Sequence, residues 1–411
     1  MTVVEFFDEN FVENVVSMLV CFPQKIILIG DNKKRMNRCA EAYRAVAQDR
    51  KIETEIICES VIKNDLQNII DKLSDICEAN DDLAFDLTGG DDLCLVATGI
   101  VYEKYRHKVS LHRYNVINGR MIDCDGDGKL VARLPSRVSI EENVQIYGGR
   151  IIYEDEKPNT TYRWSFTEEF KDDVLKIWDI CRSENTPWNI VLTNMESYTV
   201  GEPTAEDLDV TFSRAAIRSL LISRNIRPDF VDDLLSRFRR YGFINNFRTR
   251  GNEISFTYKN HDIKRLLTKA GAVLELFITV MAMGITDKGE PLYTDVMNGV
   301  FVDWDGQRSE DNPDVENEID VMLMKDMLPF FISCKNGTVN VEELYKLHTV
   351  AQRFGGIYAR KVLVLTELDR ETDHGKYILL RAKDMDVTVI DNVCKMPIEE
   401  VQKNLKKLYR S

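Results

Sequence analysis

The stretch Asn317–Gly337, NEIDVMLMKDMLPFFISCKNG, decides how the C-terminal part of this chain folds. Its apolar residues form two runs that join around Asp326–Met327, and this pattern predicts a β-hairpin. With the turn centred on that pair, Asp320 lies directly opposite Ser333, and Lys335 points to the same face as Ser333. The hairpin therefore brings a carboxylate, a hydroxyl and an ammonium group together.

This group of side chains has two interpretations. An Asp and a Lys on neighbouring strands commonly form an ion pair on a solvated face. A metal-dependent phosphodiester nuclease also needs such a group, because a carboxylate holds the cation and a lysine stabilises charge or positions the attacking water. The run Leu328–Ile332 is almost wholly apolar, so Lys335 closes a buried strand, and a turn at Asn336–Gly337 leads into a helical pattern over Val341–Phe354. A polar group at the end of a buried strand is a frequent place for chemistry.

Length and composition predict a globular protein of two or three domains. The chain has 411 residues, of which 44% are hydrophobic and 30% charged. No apolar run approaches the length of a membrane span, and the N-terminus lacks a basic region followed by an apolar core, so we expect a cytoplasmic protein without a membrane partner. Nine cysteines are scattered without a Cys-x-x-Cys pair, which favours reduced thiols over disulfides or a zinc site.

The net charge of −14 argues against a protein that coats nucleic acid non-specifically. One local basic patch is still a candidate, and it consists of Arg214, Arg218, Arg224, Arg227, Arg237, Arg239, Arg240, Arg248 and Arg250. Asp229, Asp232 and Asp233 lie among these arginines. A nucleic-acid face and a solvated helical surface both fit the pattern.

The first 150 residues alternate between strand and helix patterns. Strands are predicted at Lys25–Gly30, Ile52–Ile57, Leu83–Leu87 and Lys108–Tyr114, and helices at Met36–Asp49, Asn64–Ala79 and from Thr88-Gly-Gly90 to about Tyr105. Such alternation predicts a doubly wound, Rossmann-like α/β domain. Ligands of these sheets bind at the carboxyl ends of the strands, here Gly30–Lys34 and Thr88–Asp92.

A middle region follows, over Glu154–Asn260. Helices are predicted around Glu168–Cys181, Asp207–Arg224 and Pro228–Tyr241, and a hairpin over Phe243–Tyr258. Helices followed by a hairpin indicate a winged-helix-like module. The module either binds DNA or only spaces the flanking domains.

From His261 onward the predicted order is helix, three strands, helix and strand. The helix covers Lys264–Met283, and the strands cover Gly299–Val302, Glu318–Met324, Pro329–Cys334 and, after the second helix, Arg360–Thr366. Glu275 falls among Leu274, Leu276 and Phe277 in the first helix. That is an awkward place for a carboxylate unless it is used, although a surface residue of an amphipathic helix also fits.

The C-terminal part resembles the PD-(D/E)xK nuclease fold of restriction enzymes, with a helix carrying Glu, a strand carrying Asp, and a next strand ending in (Asp/Glu)-x-Lys. Glu275, Asp320 and Lys335 match three positions of this pattern. Ser333 stands where an acidic residue is usual. The main-chain carbonyl of Cys334 matches a position that binds the cation in this fold.

The N-terminal part resembles a CARF domain, the sensor of CRISPR type III ancillary proteins. The resemblance rests on Phe85–Gly90, FDLTGG, which follows a strand; the family usually continues Thr-Lys, where this chain has Asp91-Asp92. Together with Ile332–Gly337, ISCKNG, downstream, the whole chain resembles the CARF–nuclease effectors. We expect a CARF domain over residues 1–153, a winged-helix-like linker over 154–260 and a restriction-endonuclease-like α/β domain over 261–411.

The resemblance implies an endonuclease of CRISPR type III antiviral defence that is activated by cyclic oligoadenylate and cleaves DNA, RNA or both. It also implies a homodimer with cyclic tetra-adenylate across its two-fold axis. The residues expected to bind this messenger are Asn32, Lys33, Thr88, Gly89, Gly90 and Asp91. Glycine amides can approach phosphates closely, whereas Asp91 and Asp92 are expected to meet sugar hydroxyls or adenine, or to point away.

On the same resemblance, Asp320, Glu275 and the Cys334 carbonyl hold Mg²⁺ or Mn²⁺, which prefer oxygen ligands. Lys335 orients or activates water, Ser333 binds through water or leaves space, and Glu318 is a reserve ligand. Two other readings stay open. One is a ligand-controlled transcriptional regulator with a degenerate nuclease core, which Ser333 favours, and the other is a nuclease without a messenger.

Overall fold

The computed structural model describes residues 1–126, 137–201, 204, 206–269, 271–306 and 316–409. Contacts divide the chain into two compact units. The first unit comprises Met1–Thr161, Leu292–Phe331 and Leu347–Lys361, and the second comprises Tyr162–Pro291, Ile332–Lys346 and Val362–Ser411. The three domain boundaries expected from the sequence stay a prediction. Within the described residues, no helix combines the length and the apolar character that crossing a membrane requires.

The N-terminal part of the first unit is a doubly wound α/β layer. Its elements in chain order are β1 Thr2–Phe6, α1 Val16–Cys21, β2 Lys25–Gly30, α2 Lys33–Asp49, β3 Glu55–Ser60, α3 Leu66–Ala79, β4 Leu83–Asp86, α4 Asp92–Tyr105, β5 Val109–Asn115 and β6 Arg120–Asp123. The strand order is β3-β2-β1-β4-β5-β6, with β6 antiparallel to β5 and the other neighbours parallel. The predicted α/β, Rossmann-like class is confirmed.

Strand β1 is the centre of this sheet, and the sequence patterns did not predict it. The strand is short, and its sequence Thr-Val-Val-Glu-Phe places Glu5 among the apolar residues. Phe6 packs edge-on against Phe85 of β4, with ring centroids 6.4 Å apart, inside the apolar cluster of the domain. The predicted strand Ile52–Ile57 is also wrong in its bounds, since β3 begins and ends three residues later.

After this layer the chain continues, still in the first unit, with α5 Ile140–Ile146 and β7 Arg150–Ile151. The second unit then contains α6 Glu168–Ser183, α7 Asn185–Met195, β8 Asp209–Ser213, α8 Arg214–Ser223, α9 Phe230–Arg240, β9 Ile244–Arg250, β10 Glu253–Tyr258, α10 His261–Thr268, α11 Ala272–Met283, β11 Thr286–Asp287 and β12 Glu290–Pro291. Strands β8, β10 and β9 form an antiparallel sheet in that order, and β11 pairs with β12.

Two predictions about this stretch are corrected. The predicted helix Asp207–Arg224 is helical only from Arg214, because Asp209–Ser213 pairs with β10 as strand β8. The predicted helix Lys264–Met283 is two helices, since Lys269 after α10 has extended backbone angles and α11 begins at Ala272.

The C-terminal elements are β13 Asp295–Asp303, β14 Glu316–Lys325, β15 Leu328–Lys335, α12 Val341–Gly355, β16 Arg360–Leu365, α13 Asp373–Asp384, β17 Val387–Ile390 and α14 Ile398–Lys407. The second six-stranded sheet has the order β17-β16-β15-β14-β13-β7. The predicted strands and helix of this part are present, although β13 begins four residues before the predicted strand Gly299–Val302. The β14–β15 turn is the predicted pair Asp326–Met327, with Asp326 at φ +57°.

Candidate functional site

The first candidate site is the carboxyl edge of the N-terminal sheet. Strand β1 lies between β2 and β4, so the strand order reverses there, and ligands of such sheets bind at this switch point. Helices α2 and α4 begin directly after β2 and after the Thr88–Gly90 loop. Two helix N-termini at one sheet edge favour an anionic ligand.

The two glycines of this loop are required by packing. A Cβ atom on Gly89 would lie 3.0 Å from the Asp8 Cβ, and one on Gly90 would lie 2.5 Å from the Phe6 Cβ. Gly90 also has φ +99°, which disfavours other residues. Its amide donates a hydrogen bond to the Asp8 carboxylate at 3.3 Å. The loop thus holds the Gly90 amide against the carboxylate of Asp8. Asp8 was not identified from the sequence.

Asn32 and Asp91 are helix caps. The side chain of Asn32 accepts from the Arg35 amide at 3.0 Å, and that of Asp91 accepts from the Cys94 amide at 2.8 Å. Both residues and Lys33 are exposed. Capping explains why Asn and Asp stand at these positions, and it leaves their outer surfaces accessible to a ligand.

A buried polar network lies beneath the loop. Asp86 is completely buried; it accepts hydrogen bonds from Ser17 Oγ at 2.5 Å and from the Thr88 amide at 2.8 Å, and its Oδ2 lies 3.3 Å from His112 Nε2. Thr88 Oγ1 also donates to Asp86 and accepts from the Tyr114 amide at 2.8 Å. The hydroxyl of Thr88 is therefore used to fix the loop.

Two buried carboxyl groups of this region have opposite pKa shifts. Burial alone would raise the pKa of Asp86, but the charge and hydrogen bond of His112, together with the hydrogen bonds from Ser17 and Thr88, outweigh burial and lower the pKa. Burial, and then the Asp86 charge, raise the pKa of Glu5 well above its ordinary value. The network therefore favours the ionised form of Asp86 and the protonated form of Glu5.

A third carboxyl group nearby titrates near neutrality. Burial raises the pKa of Glu13 to about 7, against a hydrogen bond from the Tyr358 hydroxyl that lowers it. Asp8 and Asp86 add to the upward shift. Neither Glu13 nor Asp86 was assigned a role from the sequence, although Asp86 stands inside the quoted motif Phe85–Gly90.

The second candidate site is the end of strand β15. Ser333 and Cys334 are buried and Lys335 is half-buried, so a cation does close an apolar strand. Lys335 Nζ lies 3.0 Å from Glu343 Oε2 in the first turn of α12. The main-chain carbonyl of Lys335 accepts from the Thr366 amide at 3.2 Å, which fixes the strand end.

Glu343 is the carboxylate that the sequence patterns missed. Burial alone would raise its pKa, but the hydrogen bond and charge of Lys335, and then those of Lys346, lower the pKa. Glu343 is thus an anion held between two lysines, with Lys346 Nζ 3.3 Å away. The sequence feature that could have identified Glu343 is a glutamate in the first turn of the helix that follows the lysine-bearing strand.

The other predicted site residues lie on the expected elements. Glu275 is half-buried in the first turn of α11, where both neighbours are fully buried, and Thr279 donates to its main-chain carbonyl at 2.8 Å. Asp320 is half-buried on β14, and its carbonyl accepts from the Asn298 side chain at 3.2 Å.

Strand β13 keeps one register with β14, from Asn298↔Val321 to Val300↔Ile319, which sets Gly299 across from Asp320. Gly299 has φ +58°, a backbone angle that favours glycine.

Among the residues described, no three or more Asp, Glu, His or Cys side chains come together with metal-binding geometry. The predicted cation ligands are two carboxylate side chains and one main-chain carbonyl. This set has fewer than three ligating side chains and is therefore not a group of that kind. All three are oxygen donors, which is the chemistry that Mg²⁺ and Mn²⁺ require.

Two solved structures share this fold over the whole chain. Protein VC1899 from Vibrio cholerae matches with a TM-score of 0.76 and 18% identity, covering 100% of this chain and 98% of that one. Can2 from Sulfobacillus thermosulfidooxidans, solved in complex with cyclic tetra-adenylate, matches with a TM-score of 0.65 and 15% identity, covering 100% and 97%. The resemblance to CARF effectors drawn from the sequence is thereby confirmed as a likeness of fold. No protein-family model and no curated protein matches the chain.

Proposed function

We propose that this protein is a metal-dependent endonuclease that cyclic oligoadenylate activates in CRISPR type III antiviral defence. The observation that carries the proposal is the fold shared over the full length with Can2, a protein solved with cyclic tetra-adenylate. The Lys335–Glu343 pair at the end of a buried strand supports a cleavage function in the same chain.

The messenger is proposed to bind at the switch point of the N-terminal sheet, in a homodimer. Asn32, Lys33 and Asp91 offer exposed polar groups at two helix N-termini, and the Thr88–Gly90 loop offers amides that approach a ligand closely. A phosphate there would compete with the Asp8 carboxylate for the Gly90 amide. Binding would therefore displace Asp8, which gives a local route by which the ligand changes the loop.

Cleavage is proposed at the β14–β15 hairpin. The proposal includes the register expected from the sequence, in which Asp320 lies opposite Ser333. Asp320, Glu275 and the Cys334 carbonyl would hold Mg²⁺ or Mn²⁺, with Glu318 in reserve and Ser333 bound through water or leaving space. The cation supplies positive charge that stabilises the phosphate as the bond breaks.

Lys335 is proposed to orient the attacking water and to stabilise the charge of the phosphate. Its partner Glu343 holds the ammonium group near the strand end, at 3.0 Å. Ser333 cannot supply the carboxylate that is usual at its position. Glu343 of α12 instead places a carboxylate 3.0 Å from the ammonium group of Lys335.

The linker is proposed to be a winged-helix module. Its element order α7, β8, α8, α9, β9, β10 and its strand order β8-β10-β9, helices followed by a hairpin, support this proposal. The restriction-endonuclease-like assignment of residues 261–411 and the CARF assignment of residues 1–153 belong to the same proposal.

The test incubates the purified protein with Mn²⁺ and labelled single-stranded DNA, supercoiled DNA or single-stranded RNA, with and without cyclic tetra-adenylate. We expect messenger-dependent cutting of at least one substrate, lost in Lys335→Ala and retained in Lys346→Ala, which removes the other lysine beside Glu343. Equal cutting without the messenger would contradict the activation.

The alternative function is a ligand-controlled transcriptional regulator with a degenerate nuclease core. Ser333, in the position of an acidic ligand, is the observation that favours it. Messenger binding without cutting of any substrate, together with sequence-selective binding to a promoter fragment, would establish the regulator instead.

A further inference from the structure

Eight of the nine arginines between Arg214 and Arg250, all except Arg224, fall into two groups that the sequence alone did not separate. The first group is neutralised by carboxylates. Arg214 and Arg218 lie 2.7 and 2.8 Å from Asp232, and Arg227 and Arg237 each lie 3.2 Å from Glu184. These four side chains connect α6, α8 and α9 through Glu184, Asp232 and Asp233, and these carboxylates offset much of their positive charge.

The second group is exposed and is not neutralised. Arg239 and Arg240 end helix α9, and Arg248 and Arg250 lie on strand β9. Within the described residues, no ion pair to a carboxylate is formed by any of these four arginines. Between Asp233 and Glu253 the sequence holds five arginines and no acidic residue, so this surface is basic in a chain of net charge −14.

The strand register explains where Arg248 and Arg250 point. They stand opposite Ser255 and Glu253 of β10, whereas the alternate residues Ile254 and Phe256 are buried. Arg248 and Arg250 therefore project from the outer face of the sheet. Glu253 lies across from Arg250 and reduces its effect, and Arg248 faces a neutral residue.

The helix dipole accounts for only part of this surface. Cations are favoured in the last turn of a helix, which suits Arg239 and Arg240. The dipole gives no reason for arginines on β9. The surface is also poor in apolar groups, since Tyr241 is the one large hydrophobic or aromatic side chain that is exposed between Phe230 and Tyr258. Protein interfaces have an apolar core, whereas nucleic-acid interfaces are polar and positively charged.

We infer that Arg239, Arg240, Arg248 and Arg250 bind the phosphate backbone of double-stranded DNA. Helix α9 is the second helix of the helix–turn–helix formed with α8, and β9 and β10 form the hairpin beside it, which is the arrangement that docks on a duplex. Phosphate contacts position the DNA and carry no sequence preference. The inference rests on the proposed nuclease function in naming duplex DNA as its substrate class.

The test measures binding of a fluorescein-labelled 30-base-pair duplex by anisotropy, in EDTA and without messenger, so that cleavage has no influence on the result. We expect the full-length variant Arg239→Gln/Arg240→Gln/Arg248→Gln/Arg250→Gln to bind at least about tenfold more weakly. We also expect the slope of log affinity against log salt to become shallower by about three to four, at roughly 0.9 per phosphate contact.

A matched control removes four exposed lysines of the same unit: Lys376→Gln/Lys383→Gln/Lys395→Gln/Lys403→Gln. Both variants change the net charge from −14 to −14 − 4 = −18. We expect the control to lose less than about twofold in affinity, because distant charges are screened by salt. Arg239→Gln/Arg240→Gln and Arg248→Gln/Arg250→Gln, made separately, should each make the salt slope shallower by about two, which tests the inference even if the fourfold variant unfolds.

Equal losses in the arginine and lysine variants would overturn the inference, as would a wild-type protein that binds no duplex at low salt. Tighter binding of single-stranded RNA than of the duplex would assign the surface to RNA and overturn it as well. Binding by Lys335→Ala at wild-type affinity supports it, because DNA binding then stands apart from cleavage. If duplex binding holds but no substrate is cut, the nuclease proposal alone fails.

Discussion

The loop after β4 and the end of β15 both carry polar side chains where a buried strand reaches the surface, but they use them differently. After β4, the carboxylate of Asp86 and the hydroxyl of Thr88 form internal contacts with Ser17, His112 and a neighbouring strand. After β15, a half-buried lysine meets the carboxylate of another element. The first arrangement fixes a backbone shape and suits recognition. The second keeps a charged group at the surface and suits chemistry.

The largest expected effect is that of Lys335→Ala. Removing the ammonium group should lower the rate of messenger-dependent cleavage by about 10²–10³-fold, because a charge that stabilises the transition state is lost. Single-turnover cleavage of a labelled substrate with Mn²⁺ measures this rate. Lys346→Ala is the matched control, since it also removes a lysine from Glu343 but should change the rate less than about threefold. Equal loss of cleavage in both variants would show that Lys335 has no role beyond that of a lysine beside Glu343.

Asp86→Asn should instead reduce stability. It removes one partner of a completely buried network, which leaves His112 without its anion and costs about 3 kcal/mol. Urea unfolding measures the change, and Asp82→Asn, an exposed aspartate just before the same strand, should change the free energy of unfolding by less than about 0.5 kcal/mol. An Asp86→Asn protein with wild-type stability would mean that the loop after β4 does not depend on the network.

Glu343→Gln should reduce the cleavage rate by about 10–100-fold without loss of stability. The amide keeps the shape but no longer holds the lysine by charge, an effect typical of groups that orient a functional side chain. The salt dependence of cleavage should also change in this variant. Wild-type cleavage by Glu343→Gln, with Lys335→Ala inactive, would show that Lys335 acts without this carboxylate.

The smallest expected effect is the pH dependence from Glu13. Its pKa in the folded protein is about 7, above the ordinary value, so the folded state binds the proton more tightly and stability falls as the pH rises from about 4.5 through 7. Glu13→Gln cannot ionise. Its unfolding temperature should exceed that of the wild type by a few degrees at pH 8 and by less at pH 5. A difference that is the same at both values would refute a titrating Glu13.

The hairpin, the long helices and three of the parallel strands could be predicted because their apolar residues follow a clear period over a local stretch. Strand β1 escaped this reasoning because Glu5 interrupts its short apolar run, and the burial and the Asp86 charge that raise the pKa of Glu5 arise only in the folded protein. Helix α11 was predicted as part of one long helix, since the break at Lys269 has no Pro and only Gly271 nearby.

The sequence by itself determined the α/β class, the hairpin turn at Asp326–Met327 and the lysine that closes strand β15, because each depends on neighbours along the chain. Only the tertiary structure decided that Glu343 meets Lys335 and that Asp86 anchors the Thr88 loop. It also separated the arginines that pair with Glu184 and Asp232 from those that stay exposed. The reason is physical: a charge takes its role from the groups that folding brings within a few ångströms, and those groups are remote in sequence.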